Sequence, residues 1–187
     1  MHRRVHPSLR QVLPLQDGQV EYRSDTMDTS GEKPFAILRI LFGVVWLVDA
    51  AFKWNPAFLR DFSNYVLGGT QNQPALVQSW IDLWVKGANV DPHFFAIIVA
   101  VGETAIALSL LLGVFTQLGI ASGVAMMFVV WSTSEGFGGP YAAGSTDIGT
   151  VVIYVMVFMA LWLGRCWRRY SLDPYIRRLL PVLYRGW

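Results

Sequence analysis

A single glutamate, Glu103, stands inside the apolar run IIVAVGETAIALSLLLGV. An ionisable group inside a membrane-length apolar segment costs at least ~2.5 kcal/mol at the centre of a helix, so its presence asks for a reason. A carboxyl group held protonated there can donate a hydrogen bond as well as accept one, which suits proton relay or binding of a carbonyl. The structural alternative is a hydrogen bond to a neighbouring helix. Asp49 and Lys53 lie four residues apart and share a helix face, with Trp46 one turn before Asp49 on the same side. An ion pair at the membrane surface, with Trp54 in the aromatic belt, explains these residues structurally. A second segment that brings Glu103 within water-bridged reach turns them into a site.

Further along, Gly119, Gly123, Met127, Trp131 and Glu135 recur at steps of four, a ridge whose glycines let another helix approach closely. Its far end delivers Trp131 and Glu135 to the mouth of whatever bundle forms. The glycine-rich stretch Glu135–Asp147 follows, and its backbone N–H groups can form an anion-holding nest, although any tight turn uses glycine too. Thr146 or Asp147 is placed to cap the next helix. Tyr154, two turns on, carries a hydroxyl into apolar surroundings.

The elements that position these residues follow from where charge is missing. In 187 residues, 53% are hydrophobic and 15% charged, and the charges sit in blocks that leave helix-length tracts apolar all round. A soluble domain interleaves charges along the outer faces of its helices. The sequence predicts an all-α membrane protein, a four-transmembrane-helix bundle with spans at 35–53, 94–115, 118–134 and 148–164. Each is close to the roughly 20 residues that cross a bilayer core, the last two slightly short. Residues 1–34 read as a disordered cytoplasmic tail, whose length before the first span argues against a cleaved signal peptide.

Arginines set the orientation. Arg165, Arg168, Arg169, Arg177, Arg178 and Arg185 crowd the basic interfacial segment 165–187, where Asp173-Pro174 starts a short helix with Tyr175, Ile176, Leu179 and Leu180 toward lipid. The N-terminal tail holds Arg3, Arg4, Arg10, Arg23 and Lys33, and the loop 135–147 has no Lys or Arg at all. The positive-inside rule places both termini in the cytoplasm and the loops 54–93 and 135–147 outside, in a multi-pass protein of the cytoplasmic (inner) membrane. Arg39, near the inner end of the first span, is expected to snorkel to the cytoplasmic interface.

The outer loop 54–93 is patterned. Asn55-Pro56 starts a helix carrying Phe58, Phe62 and Tyr65 until Gly68-Gly69, and a second begins near Pro74 with Leu76, Val77, Trp80, Ile81, Trp84 and Val85 on one stripe. These interfacial helices are expected to cap the bundle, with partner docking as the alternative.

Composition excludes several classes. The net charge of +2 has its basic residues at the two ends, which is not a nucleic-acid-binding face. One cysteine, Cys166, rules out an internal disulfide or redox pair, and three histidines argue against a bis-His haem or His-rich metal site. Any redox role would borrow a diffusible cofactor.

The sequence resembles the DoxX/DoxD family of small four-helix membrane proteins, and is most similar to the DoxD type, the small membrane subunit of thiosulfate:quinone oxidoreductase. The resemblance spans roughly Phe35 to Leu163. It rests on Arg39-x-x-x-Gly43-x-x-Trp46, Phe52-Lys53-Trp54-x-Pro56, Gly102-Glu103-Thr104 with Leu110-Leu-Leu-Gly113, Trp131-Ser-Thr-Ser-Glu135-Gly-Phe-Gly-Gly-Pro140-Tyr141, Gly144-Ser-Thr-Asp147-Ile-Gly149 and Tyr154. It implies a quinone-linked redox role at the outer face of the cytoplasmic membrane and, in the family's best-described activity, the joining of two thiosulfates to tetrathionate with electrons passing to a quinone.

Together these give a leading expectation of a quinone-interacting subunit. Glu103 and Asp49 are its candidate catalytic groups, and Trp46, Lys53, Trp54, Trp131, Glu135, Tyr141 and Tyr154 its candidate binding residues. Trp46 and Trp131 are expected as flat walls. Lys53, Arg60, Lys86 and the glycine loop are placed to draw in an anion, which Glu135 and Asp147 oppose. Its partners are the lipid bilayer and a second redox subunit, and the glycine ridge is also compatible with a homo-oligomer. The rivals are a non-catalytic scaffold for a redox partner and, third, a small-solute or proton pathway.

Overall fold

The computed structural model describes residues 31–139, 141 and 148–179, which form helices and turns with no strand among them. The expected tail up to residue 30, the cap at Thr146 or Asp147, most of the glycine nest, and Leu180 and Arg185 lie outside the described residues. The helices are α1 (Glu32–Lys53), α2 (Pro56–Arg60), α3 (Phe62–Leu67), α4 (Ala75–Ala88), α5 (Pro92–Leu112), α6 (Thr116–Ser132), α7 (Val151–Leu163) and α8 (Asp173–Leu179).

Among the described residues two helices are long and apolar enough to cross a membrane: α1 and α5, with mean hydropathy 2.1 and 2.3 and only 33% of each apolar window buried. Ile37, Leu41 and Val48 on α1 and Ile98, Val101 and Leu108 on α5 face outward. A soluble core helix would bury such side chains, whereas an apolar exterior of this extent suits lipid. Helices α6 and α7 are apolar too but shorter, at 17 and 13 residues.

These four close a ring in which α1 packs on α5 and α7, and α6 packs on both from the other side. Successive helices reverse direction. The end of α1, the start of α5, the end of α6 and the start of α7 therefore meet at one end of the ring. The interior is aromatic: Phe42, Trp46, Tyr154 and Phe158 stack edge-to-face or tilted, with centroids 5.0–6.2 Å apart, the geometry that ring quadrupoles favour. Gly123 makes room for this cluster, because a Cβ there would collide with the Phe158 ring.

The segment 54–93 folds as a cap over one end of the ring. Asn55 accepts a hydrogen bond from Ala57 N at 2.9 Å and Pro56 opens α2, as the sequence predicts. The helix expected over Phe58, Phe62 and Tyr65 breaks at Asp61, whose backbone (φ −114°, ψ 23°) leaves the helical region. Phe58 still meets both other rings, at 5.6 and 5.2 Å. Helix α4 buries Ile81 and Val85 against Val66. The turn between α3 and α4 rests on the end of α6: Gly69 lies too close to the Thr133 carbonyl for any side chain, and Gln73 Nε2 donates to Gly136 O at 3.0 Å.

At the opposite end Arg39 does not snorkel. It is fully buried, and Nη2 donates to the Tyr170 carbonyl. Residues 170–173 fold back over the α5–α6 turn and enclose it: Leu172 N donates to Leu112 O at 3.2 Å and Asp173 N to Gly113 O at 2.9 Å. The Asp173 carboxylate accepts from Phe115 N at 2.7 Å and Thr116 N at 3.2 Å, capping α6. Helix α5 stops at Leu112, short of the expected Phe115, because Gly113 (φ 65°) turns the chain. Cys166 is buried beside Arg39, and burial pushes its thiol up to about 12, the neighbouring guanidinium opposing only in part.

Two outcomes follow. Gly123→Leu should lower thermal stability by about 1–3 kcal/mol, the cost of overpacking a dense core, read by thermal unfolding in detergent. Cys166 should resist maleimide in the native protein at pH 8 and react fully once denatured.

Candidate functional site

The ring end where α1, α5, α6 and α7 meet encloses a cavity of about 700 Å³ under the α2–α4 cap. From α1 come Asp49 and Lys53, one turn apart; from α5, Glu103; from α6 and its exit, Thr133 and Glu135; from α7, Thr150 and Tyr154. The cap and the start of α5 add Phe58, Phe62, Tyr65, Trp84 and Phe95. Most of the surface is therefore aromatic or aliphatic, with a few polar groups on one side, the usual make-up of a small-molecule site.

The charged group is compact. Lys53 Nζ lies 3.4 Å from Asp49 Oδ1 and 3.3 Å from Glu103 Oε2, and 5.7 Å from the centre of the Phe58 ring. Glu103 is 1% exposed while Asp49 keeps 37%, so one carboxylate is dry and the other opens to the cavity mouth. Glu103 Oε2 is buried, and the Lys53 ammonium is its ion-pair partner. Such an atom is costly unless something pairs with it. Fully ionised, one ammonium faces two carboxylates here. Thr104, beside Glu103, accepts from Trp54 Nε1 at 3.1 Å and donates to Ala100 O at 2.7 Å, tying the start of the cap to α5.

Of the nine candidate residues, five line this cavity: Asp49, Lys53, Glu103, Glu135 and Tyr154. The other four stand elsewhere. Trp46 is wholly buried beneath the cavity among Phe42, Tyr154 and Phe158, with its indole N–H unpartnered. Trp54 sits outside, 46% exposed. Trp131 donates from Nε1 to Ile148 O at 3.2 Å and stacks on Phe137. Tyr141 is exposed, and its hydroxyl donates to the Phe137 carbonyl.

Glu135 has a structural task. Its carboxylate accepts from Thr150 Oγ1 at 2.7 Å and from Val151 N at 3.3 Å, so the end of α6 caps the start of α7. The spacing of Trp46 and Trp131 makes them the expected flat walls, but neither lines the cavity. The structure draws those walls from Phe58, Phe62, Trp84 and Phe95, and the aromatic spacing of the segment 54–93 was the signal that pointed there. Among the described residues no three His, Cys, Asp or Glu side chains gather into a metal-ligating cluster.

Glu135→Ala should cost about 1–2 kcal/mol of stability, the scale of a lost helix cap, while Glu135→Gln should cost less than half of that. Thermal unfolding of the two variants checks it.

Residues 35–136 of the chain match the DoxX family. No curated protein and no solved structure matches it.

Proposed function

The chain belongs to the DoxX family, and on that premise we propose that it is a quinone-interacting membrane subunit of a redox system. Family membership and the two long apolar helices make it a membrane protein of a redox-associated kind. In this reading α1, α5, α6 and α7 are four spans. The arginine-rich end lies in the cytoplasm of a cell bounded by the inner membrane, and the capped cavity lies at the outer face.

The observation that carries the quinone reading is a buried carboxyl, Glu103, that shares one lysine with Asp49 on the wall of a cavity whose cap is aromatic. A bound quinone accepts two electrons and two protons. Glu103 and Tyr154 stand on the polar side, where a carboxyl and a phenol can hydrogen-bond ring oxygens and pass protons. Asp49, open to the cavity mouth, can replenish Glu103 through Lys53. Phe58, Phe62, Trp84 and Phe95 offer flat faces to a ring and keep water out. The electrons come from a separate redox subunit.

Thiosulfate is a poor fit as a direct ligand. Lys53 is the one basic residue lining the cavity among the described residues, and Asp49, Glu103 and Glu135 all oppose an anion. Thiosulfate oxidation of the DoxD kind would therefore belong to the partner that delivers electrons.

A non-catalytic scaffold for a redox partner is the second reading, favoured by apolar side chains of the 54–93 segment that face away from the cavity, Leu76 at 83% and Val90 at 84% exposed. A solute pathway has less support, because Phe42, Trp46 and Phe158 fill the ring directly beneath the cavity.

A short-chain quinone should quench tryptophan fluorescence saturably in the wild-type protein, with Trp84 at the cavity wall as reporter. Glu103→Gln should weaken the apparent affinity about tenfold, the scale of one hydrogen bond to a charged group. Non-saturating curves identical in both proteins would replace the quinone site with the scaffold.

A further inference from the structure

The opposite end of the helix ring holds a second, differently built site. A cavity of about 490 Å³ lies where the α5–α6 turn meets the C-terminal segment. Arg168, Arg177 and Arg178 line one side of it, with Thr116 and Gln117 from the first turn of α6. Asp173 is the one acid in its wall, and both of its oxygens already accept backbone N–H groups of Phe115 and Thr116. Arg168 also pairs with Glu32, at 3.0 Å. The hydroxyl of Thr116, a residue with no exposed surface, has no hydrogen-bond partner. Three guanidiniums beside an orphaned hydroxyl make a site for an oxyanion.

This cavity is not isolated. Phe115 and Leu118 also border a groove of about 420 Å³ that follows the outer seam of α5 and α6. The groove runs from Leu112 to Gly102 on α5, about 15 Å at the helical rise, and its walls are almost entirely apolar. A charged head pocket that adjoins, across Phe115 and Leu118, an apolar groove running along the helices suits an amphiphile. A free inorganic anion would use the first part and leave the second without a purpose.

We propose that the arginine cavity and the α5–α6 groove together form a specific site for one anionic phospholipid, its phosphate among Arg168, Arg177 and Arg178 and one acyl chain along the groove. The site is separate from the quinone cavity and needs only that the chain be embedded in a bilayer. Its C-terminal half, residues 168–178, is the same segment that encloses Arg39, so an occupying lipid would brace the inner end of the ring.

The test is native mass spectrometry of the full chain in neutral detergent, titrated separately with phosphatidylglycerol, phosphatidylcholine and inorganic phosphate. One phosphatidylglycerol should be retained in preference to phosphatidylcholine. The preference should fall roughly fivefold for each of Arg177→Gln and Arg178→Gln, the scale of one basic contact near an anionic surface. Ser122→Phe fills the groove from an exposed position far from the arginines, and should weaken retention of phosphatidylglycerol while leaving unfolding temperature unchanged. Equal retention of both lipids by the wild-type protein would overturn the proposal. So would indifference to the arginine substitutions, or an inorganic phosphate that binds as tightly as the lipid, which would mark an anion site alone.

Discussion

Lys53 bridges two carboxylates from different helices at distances of 3.3 and 3.4 Å, and the capped half of the molecule is organised round that contact. Removing ions from water costs several kcal/mol each even after relaxation, and an interior charge survives only if something nearby compensates it. Here one ammonium serves Asp49 and Glu103. It thereby fixes the end of α1 against the middle of α5, the most extensive helix contact in the protein. The compensation is incomplete, since two carboxylates share a single cation. A buried carboxylate that shares its only cation with another is one that a proton or a ligand's hydrogen-bond donor can relieve.

The two ends of the ring solve the same problem in opposite ways. At the capped end an acidic cluster is left partly open under a lid of short aromatic helices. At the opposite end Arg39 is sealed in by the chain itself: residues 170–173 supply a carbonyl to the guanidinium, and the Asp173 carboxylate caps α6. Between them the rings of Phe42, Trp46, Tyr154 and Phe158 close the interior, so the capped cavity has a floor. Tyr154 belongs to both the floor and the cavity, which places a hydroxyl at the boundary between aromatic packing and polar chemistry.

Much of this was legible in the sequence because the deciding signals are local. Apolar runs, the Asn55-Pro56 start, the four-residue step from Asp49 to Lys53 and the lone Glu103 are all readable without a fold, and Asp49, Lys53 and Glu103 do meet on one cavity. What escaped depends on contacts distant in sequence. Trp46 shares a helix face with Asp49, yet the crossing of α7 turns it into core. Glu135 reads as a free acid at a helix end until Thr150 and Val151 return beside it. Arg39 reads as a snorkelling side chain because nothing in its neighbourhood announces that Tyr170 will close over it. The break at Asp61 was equally hidden, since Phe58, Phe62 and Tyr65 keep their contacts whether or not the helix is continuous.

The central claim is that a quinone ring sits against Glu103 beneath the outer cap. Photolabelling with an azido-quinone, followed by peptide mapping, tests it most directly. The account predicts label on cavity residues such as Phe95, Tyr154 and Trp84, competed away by unlabelled quinone and lost in Glu103→Gln. Label spread over the lipid-facing residues of α1 and α5, unaffected by competitor or by the substitution, would contradict it.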